Sequence, residues 1–469
     1  MKHHAVIVIG AGPAGLSATH ELAASPCQPV LVLDQADKVG GIARTESHQG
    51  YHFDIGGHRF FTRVHSISHL WQQMLADDFR TVSRLSRIYY RRHFYDYPLN
   101  MPNTLTNLGI GESALVLLSF LEAQLRPKAP EFTFEQWVTK RFGRRLYERF
   151  FKTYTEKVWG MPGDGIQADW AAQRIGGLSF GTVVANSLLG TNQVKTLISE
   201  FSYPRRGPGM MWQRFREVSE AAGASFELGQ EVVQLIREGS HVVRAVTPTG
   251  SYTGDHFISS MPITDLIARL SPPPPPAVLA AAAGLKYRAF AIVCLIVDEP
   301  SLFPDNWLYI HSPEVLVGRI QNYKNWSPAM VPDPGTTSLG MEYFCSEGDA
   351  IWSLPEQELR HLAAQELQRL GLANADRVIG GAVFRQPKAY PVYDDTYRQH
   401  LDVVRSYLAT LRNLQTVGRA GMHRYNNMDH SMLTGSLAAR NILGEAHDLW
   451  AVNADQTYHE SHIPPQSNK

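Results

Sequence analysis

The sequence predicts an α/β protein. A parallel sheet is assembled from separated parts of the chain, a helical insertion interrupts it, and a second unit rests on a mixed or antiparallel sheet. Three observations predict this. The run Ala5–Ile9 is apolar and β-branched throughout, so it has no polar face and reads as a buried parallel strand. Helical periodicity dominates Met101–Leu125 and Phe132–Lys157. Strand character returns over Ala224–Pro262 and again beyond the proline run Ser271–Pro276.

The opening stretch carries the most information. Gly10, Gly12 and Gly15 follow the first strand at G-x-G-x-x-G spacing. The first two allow a tight turn and close approach of backbone to a pyrophosphate, and the third lets a helix, Leu16–Ala24, pack against the strand. The N–H groups at the start of that helix would face the phosphates. Pro29–Leu33 is a second apolar strand, closed by Asp34, an acid placed to accept hydrogen bonds from ribose hydroxyls. Strand, turn, helix, strand and acid in this order predict a Rossmann-type dinucleotide site. Lys2 before an apolar run superficially resembles a secretory leader, but glycines fall where its apolar core should be.

With 469 residues the chain exceeds one ordinary domain and suggests about three units of 100–200 residues. The expected division is a discontinuous nucleotide-binding domain (1–80, 204–270, 401–452), a helical substrate domain (81–203), a sheet substrate domain (271–400) after a stiff polyproline linker, and a polar tail (453–469). Lys+Arg and Asp+Glu both total 44, so no bulk attraction to nucleic acid is implied. Cys27, Cys294 and Cys345 stand alone in sequence. That argues against a disulfide framework or a metal site, and for a reducing, cytoplasmic setting. No apolar run is long enough for an integral membrane segment. Leu115–Leu121, the most apolar helical stretch, is expected to be buried or interdomain, with peripheral membrane contact as the alternative. The expected partner is a small-molecule substrate, and a homodimer is compatible with this reading.

Further motifs follow along the chain. Gly40, Gly41 and Arg44 form a second glycine pair beside the first site. In YHFDIGGHRFFT, Gly56 and Gly57 allow backbone close to a flat ligand, with His58 beside them. Arg84–Tyr97 reads as a strand pair with basic and aromatic faces. In LYERFFKTYTEKVWG, Leu146, Phe150 and Tyr154 recur every four residues, and Trp159 runs into a glycine stop. YPRRGPGMMW is a loop leading into a helix. Arg288–Val297, His311–Ile320 and Thr337–Phe344 are strand-like, and Leu354–Leu370 is an amphipathic helix. Leu414–Val417 is a buried strand running into Gly418–Arg419, and Ser431–Leu443 closes as a helix rich in small residues.

Two resemblances sharpen this. The G-G-x-x-R at Gly40–Arg44, directly after the ribose acid, resembles flavoproteins of the amine-oxidase type and implies FAD rather than a nicotinamide cofactor. The wider set resembles the UDP-galactopyranose mutase family, within the amine-oxidase and protoporphyrinogen-oxidase-like flavoproteins. The match covers most of the chain in separated blocks. The resemblance implies that Gly57 and His58 lie against the flavin. It implies that Phe150 and Tyr154 hold the base and Trp159 lines the sugar pocket. It makes Arg174 and Arg319 a diphosphate clamp, which suits planar, always-charged guanidinium forks. Tyr390 in PKAYPV would be a pocket tyrosine. Gly418, Arg419, Met428 and Asp429 would approach the flavin and its phosphates, with Asn426 at the substrate. His58, Arg174, Arg319 and Trp159 are thus the residues expected nearest the chemistry. The implied activity is pyranose–furanose isomerisation of a nucleoside-diphosphate sugar through N5 of the reduced flavin.

Three departures keep an FAD oxidoreductase of the amine-oxidase or protoporphyrinogen-oxidase kind as the alternative. Asn426 and Asn427 stand where the mutases have a tyrosine and an aspartate. Asp96 replaces a pocket asparagine, and a carboxylate there would repel a diphosphate. The YPRRGPGMMW loop is similar to the oxidase side of the superfamily.

Overall fold

The computed structural model describes residues 3–97, 101–126, 130–168 and 199–453. Arg174 and the tail from 454 onward lie outside them. The opening strand His3–Ile9 sits inside an eight-stranded sheet, parallel to Val30–Asp34 on one side and to Gly250–Ser259 on the other. Ser225–Leu228 and Leu414–Thr416 add further parallel strands. An antiparallel meander, Gln234–Glu238, His241–Thr247 and Gly250–Ser259, continues the sheet, and the short strand Leu270–Ser271 ends it, parallel to Gln234–Glu238.

Both faces of this sheet are covered, which is why the first strands show no polar alternation. Val6, Val8, Val30 and Val32 pack with Leu16, Phe215 and Met432 from the helices Pro13–Ala23, Gly209–Ala221 and Met428–Ile442. Ile7, Ile9, Leu31 and Leu33 pack with Leu266, Ala281 and Val404 from the helices Ile263–Arg269, Pro276–Gly284 and Tyr397–Leu408. The proline run is therefore not a spacer to a separate body. It opens a helix that packs on the nucleotide sheet, with Pro276 in the first turn, where a missing N–H removes no helical bond.

The second sheet has seven strands, in the order Val378–Pro391, Tyr287–Val297, Thr337–Cys345, Arg319–Asn322, Trp307–Ile310, Ser86–Tyr90 and His93–Asp96. All neighbours are antiparallel except Trp307–Ile310 with Ser86–Tyr90. Its outer face packs on the helix Glu356–Arg369 through Val293, Leu308, Met341, Leu359 and Leu367. Its inner face, with Tyr90, Tyr95, Phe290 and Trp307, packs on Trp137, Tyr147, Phe150 and Trp159 of the helical insertion. Within that insertion Tyr147–Lys152 is a π-helical turn, continued by the helix Thr153–Trp159 and closed by Gly160 at φ +67°.

Two sequence expectations change. Residues 311–318 are a turn: one strand ends at Ile310 and the next begins at Arg319. Pro313 has no N–H for a ladder, and the carbonyls of this stretch are taken by a side chain described below. The helix Ile110–Leu125 is not buried: Val116 faces inward, while Ile110, Leu117, Leu118, Leu121 and Leu125 are exposed. Its sequence is apolar almost all round, so periodicity carried no information about which face meets the protein.

The closing helix depends on a glycine. A Cβ on Gly435 would lie 2.0 Å from the Ala14 carbonyl oxygen. Gly435→Ala should push apart the first and last helices of the nucleotide sheet. A loss of about 1–3 kcal/mol is expected, read as a lower melting temperature of the full chain.

Candidate functional site

The two glycine pairs meet. The Gly40 N–H donates to the Ala11 carbonyl at 2.8 Å, and a Cβ on Gly41 would stand 3.2 Å from Gly12 Cα. A Cβ on Gly15 would lie 1.8 Å from the Gly10 carbonyl oxygen, so strand and helix touch through bare backbone. Asp34 accepts from the Ala11 N–H at 2.5 Å and the Ala36 N–H at 2.8 Å, and burial raises its pKa. Gly418 joins from the other end of the chain, where a Cβ would lie 3.0 Å from Ala14 Cβ. The oxidase-like loop has a bracing role: Trp212 donates its indole N–H to the Ala43 carbonyl at 2.9 Å. Arg44 ion-pairs with Glu46 at 2.6 Å and donates to Gly41 and Gln386. Backbone amides at a helix N-terminus, one acid and no bulky side chain fit a dinucleotide diphosphate and its ribose.

A buried carboxyl anchors the next turn. Asp54 accepts hydrogen bonds from Tyr203 and, at 3.0 Å, from Thr45, while its own carbonyl accepts from Tyr323 at 2.7 Å. Two residues later Gly56 turns at φ +93°. Cβ atoms at Gly56 and Gly57 would stand 3.6 Å from Glu342 and 3.3 Å from Gln321, so this turn lies against the second sheet. His58 follows, half-buried, with its Nδ1 shielded from solvent. Burial and the charges of Arg419, Arg319 and Arg44 push its pKa down to about 3, and its Nδ1 has no hydrogen-bond partner. It is a neutral imidazole in a positive field.

Arg319 lies across the ladder from Glu342. Its Nε donates to that carboxylate at 2.9 Å, and its Nη2 donates to Glu342 and, at 2.7 Å, to the Tyr390 hydroxyl. Gln321 donates to the other carboxylate oxygen. Burial opposes the charge of Arg319, but Glu342 and the tyrosines Tyr390, Tyr154 and Tyr425 more than offset it, and its pKa is raised. Tyr390 lies next to the end of the long strand Val378–Pro391, stacked on Tyr425 with ring centroids 5.6 Å apart. The Arg419 guanidinium lies 4.7 Å from the Tyr425 ring centroid and donates to the Asn426 carbonyl at 2.8 Å.

The aromatic wall comes from the insertion. Tyr154 stacks on His311 with centroids 4.7 Å apart and rings 9° from parallel, and meets Tyr309 edge-on. Phe150 lies behind this layer, edge-on to Tyr95 at 4.9 Å, and both Phe150 and Trp159 are buried in the aromatic core. Asn426 holds its own loop: its amide donates to the Gly418 carbonyl and its oxygen accepts from Asn453, both at 3.0 Å. Asn427 caps the helix Met428–Ile442, which places buried Met428 and Asp429 in the first turn. Asp96 pairs across the ladder with Arg87, beside Phe94 and Asp305, on the face of the sheet away from His58 and Arg319. Sequence reading missed Glu342, Gln321, Tyr309, His311 and Tyr425. A lone carboxylate in the apolar strand SLGMEYFC was the available signal, because such groups are rarely buried without a partner.

A family model described as flavin containing amine oxidoreductase matches residues 13–443. The chain belongs to this family. FAD is therefore its cofactor, and the glycine cradle with Asp34 has the backbone groups to hold it. Among solved structures, reduced UDP-galactopyranose mutase is similar with a TM-score of 0.85 and 21% identity, over 98% of this chain and 100% of that one. Wild-type putrescine oxidase bound to putrescine gives 0.64 and 16%, over 95% and 100%. An oxidoreductase from Methanosarcina mazei gives 0.58 and 13%, over 95% and 100%. These likenesses show the fold. Among the described residues, no helix of this flavoenzyme is long and apolar enough to cross a membrane, and no group of three or more His, Cys, Asp or Glu side chains is placed to hold a metal.

Burial pushes the Asp54 pKa up to about 7. Its folded value lies above its unfolded one, so ionisation weakens the fold, and stability should rise as pH falls from about 7 towards 4. Asp54→Asn removes this titration. The variant should gain on the wild type by about 1 kcal/mol or more at pH 8, and the gain should shrink by pH 5. Paired chemical denaturation at the two pH values measures it.

Proposed function

We propose that this flavoenzyme isomerises a nucleoside-diphosphate sugar between pyranose and furanose forms, using reduced FAD without net oxidation. The observation that carries the reading is Arg319: a guanidinium largely withdrawn from water among aromatic side chains, beside Arg419 and a histidine that burial and neighbouring positive charge keep neutral. Its Nε and Nη2 are committed to Glu342 and Tyr390, which leaves Nη1 for a ligand oxygen. Arg174, outside the described residues, supplies the second fork of the clamp in this reading. The flat faces of Tyr154 and His311 suit a base, and Asp96, turned to the other face, does not repel the diphosphate.

When bound, reduced FAD supplies the covalent chemistry at the anomeric carbon. The chain's own residues bind and orient. Arg319 and Arg174 steady the diphosphate as leaving group and as returning nucleophile. Glu342 and Tyr390 fix the angle of the Arg319 fork. His58 stays uncharged and so adds no further cation beside the flavin.

Glu342 also favours a second reading. It neutralises Arg319, and a buried carboxylate in an aromatic pocket suits a cationic amine, as an amine-oxidising member of the family would need. The two readings separate on UDP. Arg319→Ala would strand Glu342 as an unpaired buried charge, so Arg319→Lys is the cleaner variant: it keeps the charge and loses the fork. UDP titrated into the reduced, FAD-loaded wild type should perturb the flavin spectrum, and Arg319→Lys should weaken that binding by about tenfold or more with FAD content unchanged. Equal affinity in both proteins, with amine-dependent peroxide release, favours the oxidase.

A further inference from the structure

Lys157 lies in the middle of the YTEKVWG block and has no part in the reading above. Its side chain leaves the helix Thr153–Trp159 and enters the 311–318 turn of the second sheet. There Nζ donates to three backbone carbonyls: Ser312 at 2.7 Å, Val317 at 3.1 Å and Ile310 at 3.3 Å. An ammonium has three donors and no acceptor, so three carbonyls match it in number. On the other side of the turn, Glu366 from the helix Glu356–Arg369 accepts from the N–H groups of Leu316 at 2.6 Å and Val317 at 3.0 Å, and from the Tyr343 hydroxyl at 3.0 Å. The turn is held by a cation from within and a carboxylate from without. Its first residue, His311, carries the ring stacked on Tyr154, one helical turn from Lys157. Its last, Gly318, is followed by Arg319.

We infer that Lys157 is a positioning residue: it ties the 311–318 turn to the aromatic helix, so that Tyr154, His311 and Arg319 form one rigid wall of the pocket. Its effect on the turn stands alone, while its effect on ligand binding rests on the clamp reading.

The geometry has a pH consequence. Burial brings Lys157 down to about 8, against the pull of Glu366 from the outer helix and Glu314 from the turn. His311, the other titratable neighbour, is held neutral by burial, with a pKa of about 3. An opening of the turn that returns Lys157 to water restores its ordinary pKa, so that opening becomes harder as pH rises through about 8. Overall stability should not fall in that window. A lysine whose folded pKa is lowered weakens the fold while protonated, and this cost is relieved as pH rises from about 8 towards its unfolded value of about 10.4.

The test uses the FAD-loaded full chain as wild type, Lys157→Met and Lys157→Arg, read by hydrogen–deuterium exchange of the 311–318 amides corrected for the chemical rate. Lys157→Met should exchange about tenfold faster at pH 7, and Lys157→Arg should stay near wild type. Once corrected for the chemical rate, wild-type exchange should slow between pH 7 and 9, and that of Lys157→Arg should not. Unchanged protection in Lys157→Met overturns the inference. If that variant does not fold, a flat wild-type pH series overturns it instead. In parallel, Lys157→Met should bind UDP about tenfold more weakly than wild type. Faster exchange with equal UDP affinity overturns the link to the pocket. A wild type that ignores UDP at every pH defeats the clamp reading, and the exchange arm alone then decides the role of Lys157.

Discussion

The buried pair of Arg319 and Glu342 constrains the rest of the site. On neighbouring strands, Glu342 is fully withdrawn from water and Arg319 largely so, a desolvation cost that must be offset by satisfying their remaining groups. Gln321 and Tyr390 provide that satisfaction, which fixes what can face the inner side of the sheet at those positions. The turn at Gly56–Gly57 lies against Glu342 and Gln321, and φ +93° at Gly56 calls for glycine there. His58, arriving on that turn, is kept neutral by burial, reinforced by the charges of Arg419, Arg319 and Arg44. One ladder pair thereby sets both the charge and the shape of the space between the two sheets.

The residues legible in the sequence were those whose work is done by backbone. Gly10, Gly12, Gly15 and Asp34 recur at fixed spacing because a turn, a close approach and a strand end have fixed lengths, so the first sheet could be read from one stretch. That Gly41 touches Gly12, or that Gly418 returns from the far end to meet Ala14, depends on tertiary packing that spacing does not encode. The Ile110–Leu125 helix misled for a related reason: an all-round apolar helix has no periodic mark of its outer face.

Side-chain clusters were the least legible. Glu342 and Arg319 are far apart in sequence and become neighbours only through strand register. His311–Ile320 reads as a strand by composition, yet Lys157 captures its carbonyls and turns it into a loop. Tyr425 was passed over for its neighbour Asn426. The structure puts the tyrosine on Tyr390 and Arg419 and gives the asparagine a bracing role.

Family membership makes this an FAD-dependent enzyme, and the charge of the pocket proposes what the flavin is for. Under the proposed function, the gathering of Tyr390, Tyr425, Arg319 and Arg419 suits an anionic, base-bearing ligand more than an apolar one. The most direct measurement is anaerobic incubation of the reduced, FAD-loaded enzyme with nucleoside-diphosphate hexoses, UDP-galactopyranose among them. Sugar ring form is followed by NMR and flavin oxidation state by absorbance. The account predicts that a furanose isomer appears while the flavin remains reduced. No ring isomer with any sugar, together with reduction of the oxidised flavin by an amine, would contradict it.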